Sequence, residues 1–138
     1  MKSITRVRTG SKYEVMGSYA RAVSVGDWIF VSNTAGRNPH TQIISDDVCE
    51  QALEVFALIE RALAAADSTL ADVVVARIFI QDPKDTSAVM ALVGEKFRDI
   101  CPAMTITCPP LGASIYKVEI EVTAYRGASG MEKKDVII

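Results

Sequence analysis

The clearest pattern in the chain lies between Pro102 and Arg126. Ala103–Cys108 reads as one strand, the breakers Pro109, Pro110 and Gly112 as a turn, and Ile115–Arg126 as a second strand. In the second strand Tyr116, Val118, Ile120, Val122 and Ala124 alternate with Lys117, Glu119, Glu121 and Thr123. Alternation with period two predicts a strand with one face in a core. The polar face carries two carboxylates roughly 6.5–7 Å apart along the strand. A solvated sheet face and a carboxylate set in a cleft at a subunit boundary both fit that face.

Other segments follow the same logic. Residues 3–8 alternate and predict an edge strand. Ser11–Met16 reads as a loop. A strand over Ser18–Val25 and a second from Trp28 to Val31 are joined at Gly26-Asp27, a pair suited to a tight hairpin. Trp28-Ile29-Phe30-Val31 is apolar throughout, so both of its faces are expected to be covered. One sheet with two helices covers one face only, and the second points to self-association. Ser32–Ile44 reads as a polar loop.

A first helix is predicted from near Ser45, with Asp46, Asp47 and Glu50 placed favourably for its dipole and a stripe of Ala52, Phe56, Ile59, Leu63 and Ala66. Asp67, which tolerates left-handed geometry, ends it. Leu70–Ile80 predicts a strand with Val74, Ala76, Ile78 and Ile80 on one face and the lone charge Arg77 on the other. A second helix is expected to start at Asp85, with Val89, Leu92, Val93, Lys96, Phe97 and Ile100 as its stripe. Residues 1–126 form one domain on this pattern and residues 127–138 a C-terminal tail. The order β-β-β-α-β-α-β-β predicts an α+β fold, a single mixed sheet of about six strands with two helices on one face.

Composition narrows the function. The chain has 138 residues, which suits one core, and a net charge of −2, which argues against nucleic acid as a partner. No apolar run reaches the roughly 18 residues that suggest a membrane span. The three cysteines, Cys49, Cys101 and Cys108, are an odd number at scattered spacings and read as reduced cytoplasmic thiols in or near the core. One histidine, His40 in a polar turn, and no C-x-x-C pair leave no zinc pattern and no catalytic triad. No glycine-rich loop opens a helix to cradle phosphates. Neither a metal nor a cofactor is expected.

The remaining chemistry belongs to small molecules. Candidates are Tyr19, Ser32 and Asn33 at a strand end, Arg77, Thr105 and Thr107, and Glu119 or Glu121. A carboxylate in a dehydrated cleft has a raised pKa and can move protons to and from water. An arginine in a sheet can grip a substrate carboxylate with two bonds or simply pair with a sheet carboxylate. Tyr19 fits a cleft or a half-buried strand equally.

Taken together, the chain resembles the reactive intermediate deaminase (Rid) family, also described as YjgF-like or endoribonuclease L-PSP-like. The resemblance runs over residues 17–126. It rests on Gly17-Ser18-Tyr19, Phe30-Val31-Ser32, Asp72-Val73-Val74 leading to Ile78-Phe79-Ile80, Phe97 before Pro102-Ala103, and Val118-Glu119-Ile120-Glu121-Val122-Thr123-Ala124. It implies a chorismate-mutase-like fold and a homotrimer whose sheets form a central barrel, with small-molecule clefts between subunits. It also implies hydrolysis of enamines and imines such as 2-aminoacrylate to ketoacids and ammonia. Residue by residue, the cleft tyrosine matches Tyr19, the strand-end serine Ser32, and the water-positioning glutamate Glu119. Asn33 replaces the usual glycine. The substrate-binding arginine is Met104 here, the helix asparagine is Met90, and the cysteine two residues after the arginine is Ile106. These departures imply a greasier cleft and a divergent member poorly suited to 2-aminoacrylate. Two readings are therefore open: a deaminase for a larger or less charged enamine, and a non-catalytic trimer that binds a metabolite or a protein.

Overall fold

A computed structural model describes residues 2–138. Six strands form one sheet: β1 (Ile4–Val7), β2 (Ala22–Val25), β3 (Trp28–Ala35), β4 (Val73–Ile80), β5 (Ala103–Thr107) and β6 (Val118–Tyr125). The helices are α1 (Lys12–Gly17), α2 (Val48–Ala65) and α3 (Thr86–Lys96). The spatial strand order is β1-β2-β3-β6-β4-β5. Only β4 and β5 run parallel, joined by the crossover through α3; the other neighbours are antiparallel. The sheet is therefore mixed and the fold α+β, as the pattern predicts.

The core lies between α2, α3 and one face of the sheet. Phe56, Ile59 and Leu63 of α2 and Val89 and Val93 of α3 pack with Ile29, Ala76, Ile78, Ile80, Val118, Ile120 and Val122, all buried. Phe56 and Phe97 meet edge to face at 5.5 Å. Gly36 makes this layer spacing possible: a Cβ there would lie 2.3 Å from the Gln51 carbonyl oxygen. Gln51 is itself fully buried, and its side chain bonds Ser45 O, Ile115 O and the Lys117 N–H, tying the start of α2 to the segment that leads into β6.

Several local expectations are corrected. The Ser11–Met16 segment is a helix, α1, with Ser11 accepting from the Tyr13 N–H and Ser18 left-handed at its end. Its pattern is inverted: Glu14 is buried while Val15 and Met16 are exposed, so the hydrophobic sequence gave no sign of it. β2 begins at Ala22, not Ser18. β3 continues to Ala35 into the expected loop. β6 begins at Val118, leaving Tyr116 outside the strand. Residues 70–72 are a 3-10 turn, and a register shift puts Val73 rather than Val74 in the core. Asp85 makes no capping bond with its side chain; Asp82 caps the preceding 3-10 turn, Pro83–Asp85, by accepting from the Lys84 N–H. Helix α2 is capped by Asp47, which accepts from the Glu50 N–H. Asp67 is left-handed, as expected. Cys101 and Cys108 are exposed rather than near the core, and Cys49 is half-buried; all three are free.

Beyond β6, Arg126 donates to the Ala66 and Gly26 carbonyls. Asp72 then accepts from the Ser129 N–H at 2.8 Å and holds a 3-10 turn over Ala128–Gly130. Val136, Ile137 and Ile138 are exposed. The face of the sheet opposite the helices is bare in the single chain. Ile29 and Val31 are buried, but Trp28 and Phe30 are 47% and 49% exposed, with Tyr125 edge-on to Trp28 at 4.9 Å. No helix among the described residues is long and apolar enough to cross a membrane.

Candidate functional site

The site is built on an irregularity in β3. Val31 pairs with Val122 and Thr34 with Ile120, so Ser32 and Asn33 together face the single residue Glu121. A bulge of this kind turns side chains that regular alternation would place otherwise. Here it sends Thr34 into the buried side and leaves Asn33 exposed beside β6. Asn33 Nδ2 donates to Glu119 Oε2 at 2.9 Å. Glu119 is half-buried; burial raises its pKa, opposed by the positive charge of Arg21. A carboxylate in that state takes up and releases protons more readily near neutrality than an exposed one.

Beneath Asn33 lies Arg21. It is 7% exposed, and its Nη1 donates to the Asn33 carbonyl at 2.9 Å and to Thr34 Oγ1 at 3.1 Å. Its Nε faces Glu14 Oε2 at 3.4 Å, and its guanidinium lies 5.5 Å from the centre of the Tyr19 ring. Glu14 also accepts from the Thr9 N–H and hydroxyl at 3.0 and 2.6 Å. Burial pushes the Glu14 carboxyl up, but the Thr9 bonds and Arg21 outweigh it and hold its pKa below the ordinary value. Sequence reading passed over Arg21. The signal was available: it is the sole charge between Tyr19 and Val25, the same kind of isolation that drew attention to Arg77.

Tyr19 is 40% exposed. Its ring packs so closely on Gly17 that a Cβ there would lie 2.8 Å from Cδ1, which accounts for the glycine two residues before it. Ser32 donates its hydroxyl to the Ala20 carbonyl at 2.7 Å, joining the same two segments. Tyr19, Ser32, Asn33 and Glu119 thus gather around Arg21.

The remaining candidates lie elsewhere. Arg77 stands opposite Glu121 in register and pairs with it at 3.3 Å on the open face of the sheet. Thr105 is level with Arg77 on β5. Met104 is level with Ala76 and packs, with Met90 of α3, against the core. Ile106 is 40% exposed. No hydrogen bond or ion pair joins these residues to Glu119 within one chain, although Arg77 lies diagonal to it on β4. Two surface depressions, of about 340 Å³ beside Gln81, Lys84 and Lys117 and about 510 Å³ beside Arg37, His40 and Arg61, are not lined by Glu119 either. Among the described residues no group of three or more His, Cys, Asp or Glu is placed to hold a metal ion.

Known proteins agree with this architecture. The sequence model of the Endoribonuclease L-PSP family matches residues 9–126. A 2-iminobutanoate/2-iminopropanoate deaminase of Capra hircus is 30% identical over 133 residues, spanning 92% of this chain and 95% of the relative. Rv2704 of Mycobacterium tuberculosis, a YjgF/YER057c/UK114 family member, superposes with a TM-score of 0.81 at 35% identity, covering 89% of this chain and 99% of the other. The Escherichia coli YjgF structure superposes with a TM-score of 0.79 at 26% identity, covering 88% and 98%. The chain belongs to the YjgF-like Rid family, whose sequence model bears the name Endoribonuclease L-PSP.

Proposed function

We propose that the chain is a divergent imine- or enamine-hydrolysing deaminase that works as a cytoplasmic homotrimer with its clefts between subunits. The observation that carries this reading is the Asn33–Glu119 contact: a half-buried carboxylate with raised pKa, held in place by an amide donor. Hydrolysis needs one such group. Glu119 takes a proton from water as the water oxygen bonds to the imine carbon. That proton passes to nitrogen, giving a carbinolamine. Glu119 then carries the hydroxyl proton to nitrogen as the C–N bond breaks, leaving a carbonyl compound and ammonia. Tyr19, Ser32, Asn33, Thr105, Arg77 and the apolar Met90, Met104 and Ile106 are the proposed substrate contacts. On this reading a second subunit brings Thr105, Met90, Met104 and Ile106 to Glu119.

With methionine in place of arginine at position 104, the cleft lacks the charge-assisted grip that an arginine there gives on a small substrate's carboxylate, and Arg77 is already paired with Glu121. A larger or less charged enamine, such as an aminomuconate-like ring-cleavage product, suits it better than 2-aminoacrylate. The same apolar trio favours a second reading, a non-catalytic trimer that binds a metabolite. Three free cysteines suit a reducing compartment.

The test is ammonia release from a panel of imines generated in situ, with wild type and Glu119→Gln compared. Turnover that falls about 10²–10⁴-fold in Glu119→Gln supports the deaminase. Saturable binding with no turnover by wild type supports the binding trimer instead.

A further inference from the structure

The water-positioning carboxylate of the proposed reaction does not hold its own place. Glu119 is fixed by Asn33, an exposed side chain on a bulge. Bulges leave backbone groups outside the strand ladder, and something must satisfy them. In this chain Arg21 does so: a single nitrogen, Nη1, binds the Asn33 carbonyl and the Thr34 hydroxyl together. We propose that Arg21 is a positioning residue, whose forked contact with the bulge aims the Asn33 amide at Glu119.

Three features support it. First, a guanidinium that is 7% exposed is costly to bury unless its geometry is fixed by partners. Arg21 has partners on every side: the bulge, Glu14 and the Tyr19 ring. Secondly, Glu14 is anchored in turn by Thr9, so the arginine is clamped between the N-terminal segment and the bulge. Thirdly, the two cations nearest Glu119 along the sheet are engaged elsewhere. Arg77 is paired with Glu121, and Lys117 reaches the Asp46 carbonyl. The groups around Glu119 are Asn33 and Ala35 from β3, Phe79 level with it and Arg77 diagonal to it on β4, Lys117 and Glu121 two residues to either side of it in the chain, and Arg21 behind the bulge. Of its cations, Arg77 is paired with Glu121 and Lys117 with the Asp46 carbonyl, while Arg21 alone is buried and bound to the bulge.

The catalytic meaning of the proposal rests on Glu119 acting on water, but its geometry can be tested without any substrate. The experiment follows the Glu119 side-chain carboxyl by carbon NMR across a pH titration, with the Asn33 side-chain amide followed in parallel, in the full-length protein. Arg21→Lys keeps the charge beside Glu14 and loses the fork. Asn33→Ala removes the aimed donor. A positioning role predicts that the Glu119 midpoint rises in Arg21→Lys as far as it does in Asn33→Ala. It also predicts that the Asn33 amide resonances collapse together, and that Arg21→Lys adds no further rise on top of Asn33→Ala. A wild-type midpoint in Arg21→Lys, or a full additive rise in the double variant, overturns the proposal and leaves Arg21 with charge alone. If Arg21→Lys fails to fold, the double variant Glu14→Gln, Arg21→Gln is read by the Asn33 side-chain amide resonances instead, because loss of the Arg21 charge raises the Glu119 midpoint by itself. Collapsed resonances support the positioning role and wild-type resonances overturn it. A null result in the imine assay does not touch these outcomes, so failure of the deaminase reading and failure of the positioning role remain distinct.

Discussion

Asn33 donates its side-chain amide to Glu119 across 86 positions of sequence, at 2.9 Å. Neither residue reaches the other by simple alternation. The contact exists because β3 carries an extra residue at Ser32–Asn33 exactly where β6 presents Glu121 and then Glu119. The carboxylate nearest the proposed chemistry is thus set by one irregular backbone step.

The open sheet face yields the first prediction. Trp28, Phe30 and Tyr125 form an aromatic surface, flanked by Val23 and Val25 of β2 in register with Phe30 and Trp28. Burying each large apolar side chain is worth about 1.5–3 kcal/mol. The wild-type chain is expected to sediment as a trimer at micromolar concentration. Phe30→Glu is expected to shift it to monomer while its far-ultraviolet circular dichroism stays the same. A wild-type monomer in analytical ultracentrifugation rules out the intersubunit cleft.

Layer spacing supplies a second. Gly36→Ala drives a methyl to 2.3 Å from a backbone carbonyl, which neither strand nor helix can yield cheaply. A loss of about 3 kcal/mol is expected. Gly94→Ala, in α3 with nothing within 4 Å of the new methyl, is expected to gain up to about 1 kcal/mol. Urea midpoints of the two variants moving in opposite directions check both.

Much of this fold was legible in advance, and the illegible parts share a cause. The alternation of β6 and the stripe of α2 are read directly because their apolar residues face the core. Helix α1 escaped because its acid points inward to Arg21 while Val15 and Met16 point out. Gln51 escaped because nothing in its neighbours betrays that three backbone groups await it. Asn33 and Glu119 were each singled out, yet their contact depends on a bulge, which has no period to detect. Arg77 and Arg21 carried the same signal of an isolated charge. Arg77 proved half exposed and paired with Glu121, while Arg21 proved buried and central.

Asp72 makes stability depend on acid. Burial pushes its carboxyl up, but the Ser129 and Ser68 hydrogen bonds outweigh it and hold the pKa down to about 2 against an ordinary 3.8. A carboxylate whose folded pKa is depressed adds stability above its unfolded pKa and loses it as pH falls through the folded one. Wild type is therefore expected to lose roughly 2 kcal/mol from this group between about pH 5 and pH 2. Asp72→Asn is expected to be less stable at pH 7 and to lack that share of the acid dependence. Urea denaturation at pH 7 and pH 3 measures it, and equal acid sensitivity in the two proteins contradicts it.

Met104 gives the sharpest test of substrate. The family resemblance places a substrate-binding arginine at this position, and here the thioether packs with Met90 against the core. Each hydrogen bond to a charged group is worth about 1.5–3 kcal/mol, so losing a two-pronged grip on a carboxylate weakens transition-state binding by roughly 10² or more. Glu119 can move a proton, but it repels an anionic substrate instead of holding it. The wild-type chain is accordingly expected to hydrolyse 2-aminoacrylate at least about 100-fold less efficiently than an arginine-bearing relative. Met104→Arg is expected to recover part of that deficit, chiefly as a lower KM, and the recovery is expected to vanish when Glu119→Gln is added. Ketoacid formation by the three proteins on the same imine is the measurement. Wild-type turnover equal to the relative's means that another cation holds the carboxylate. Arg77 is then the first to replace, because its ion pair with Glu121 is half exposed and can be exchanged for a substrate at little cost.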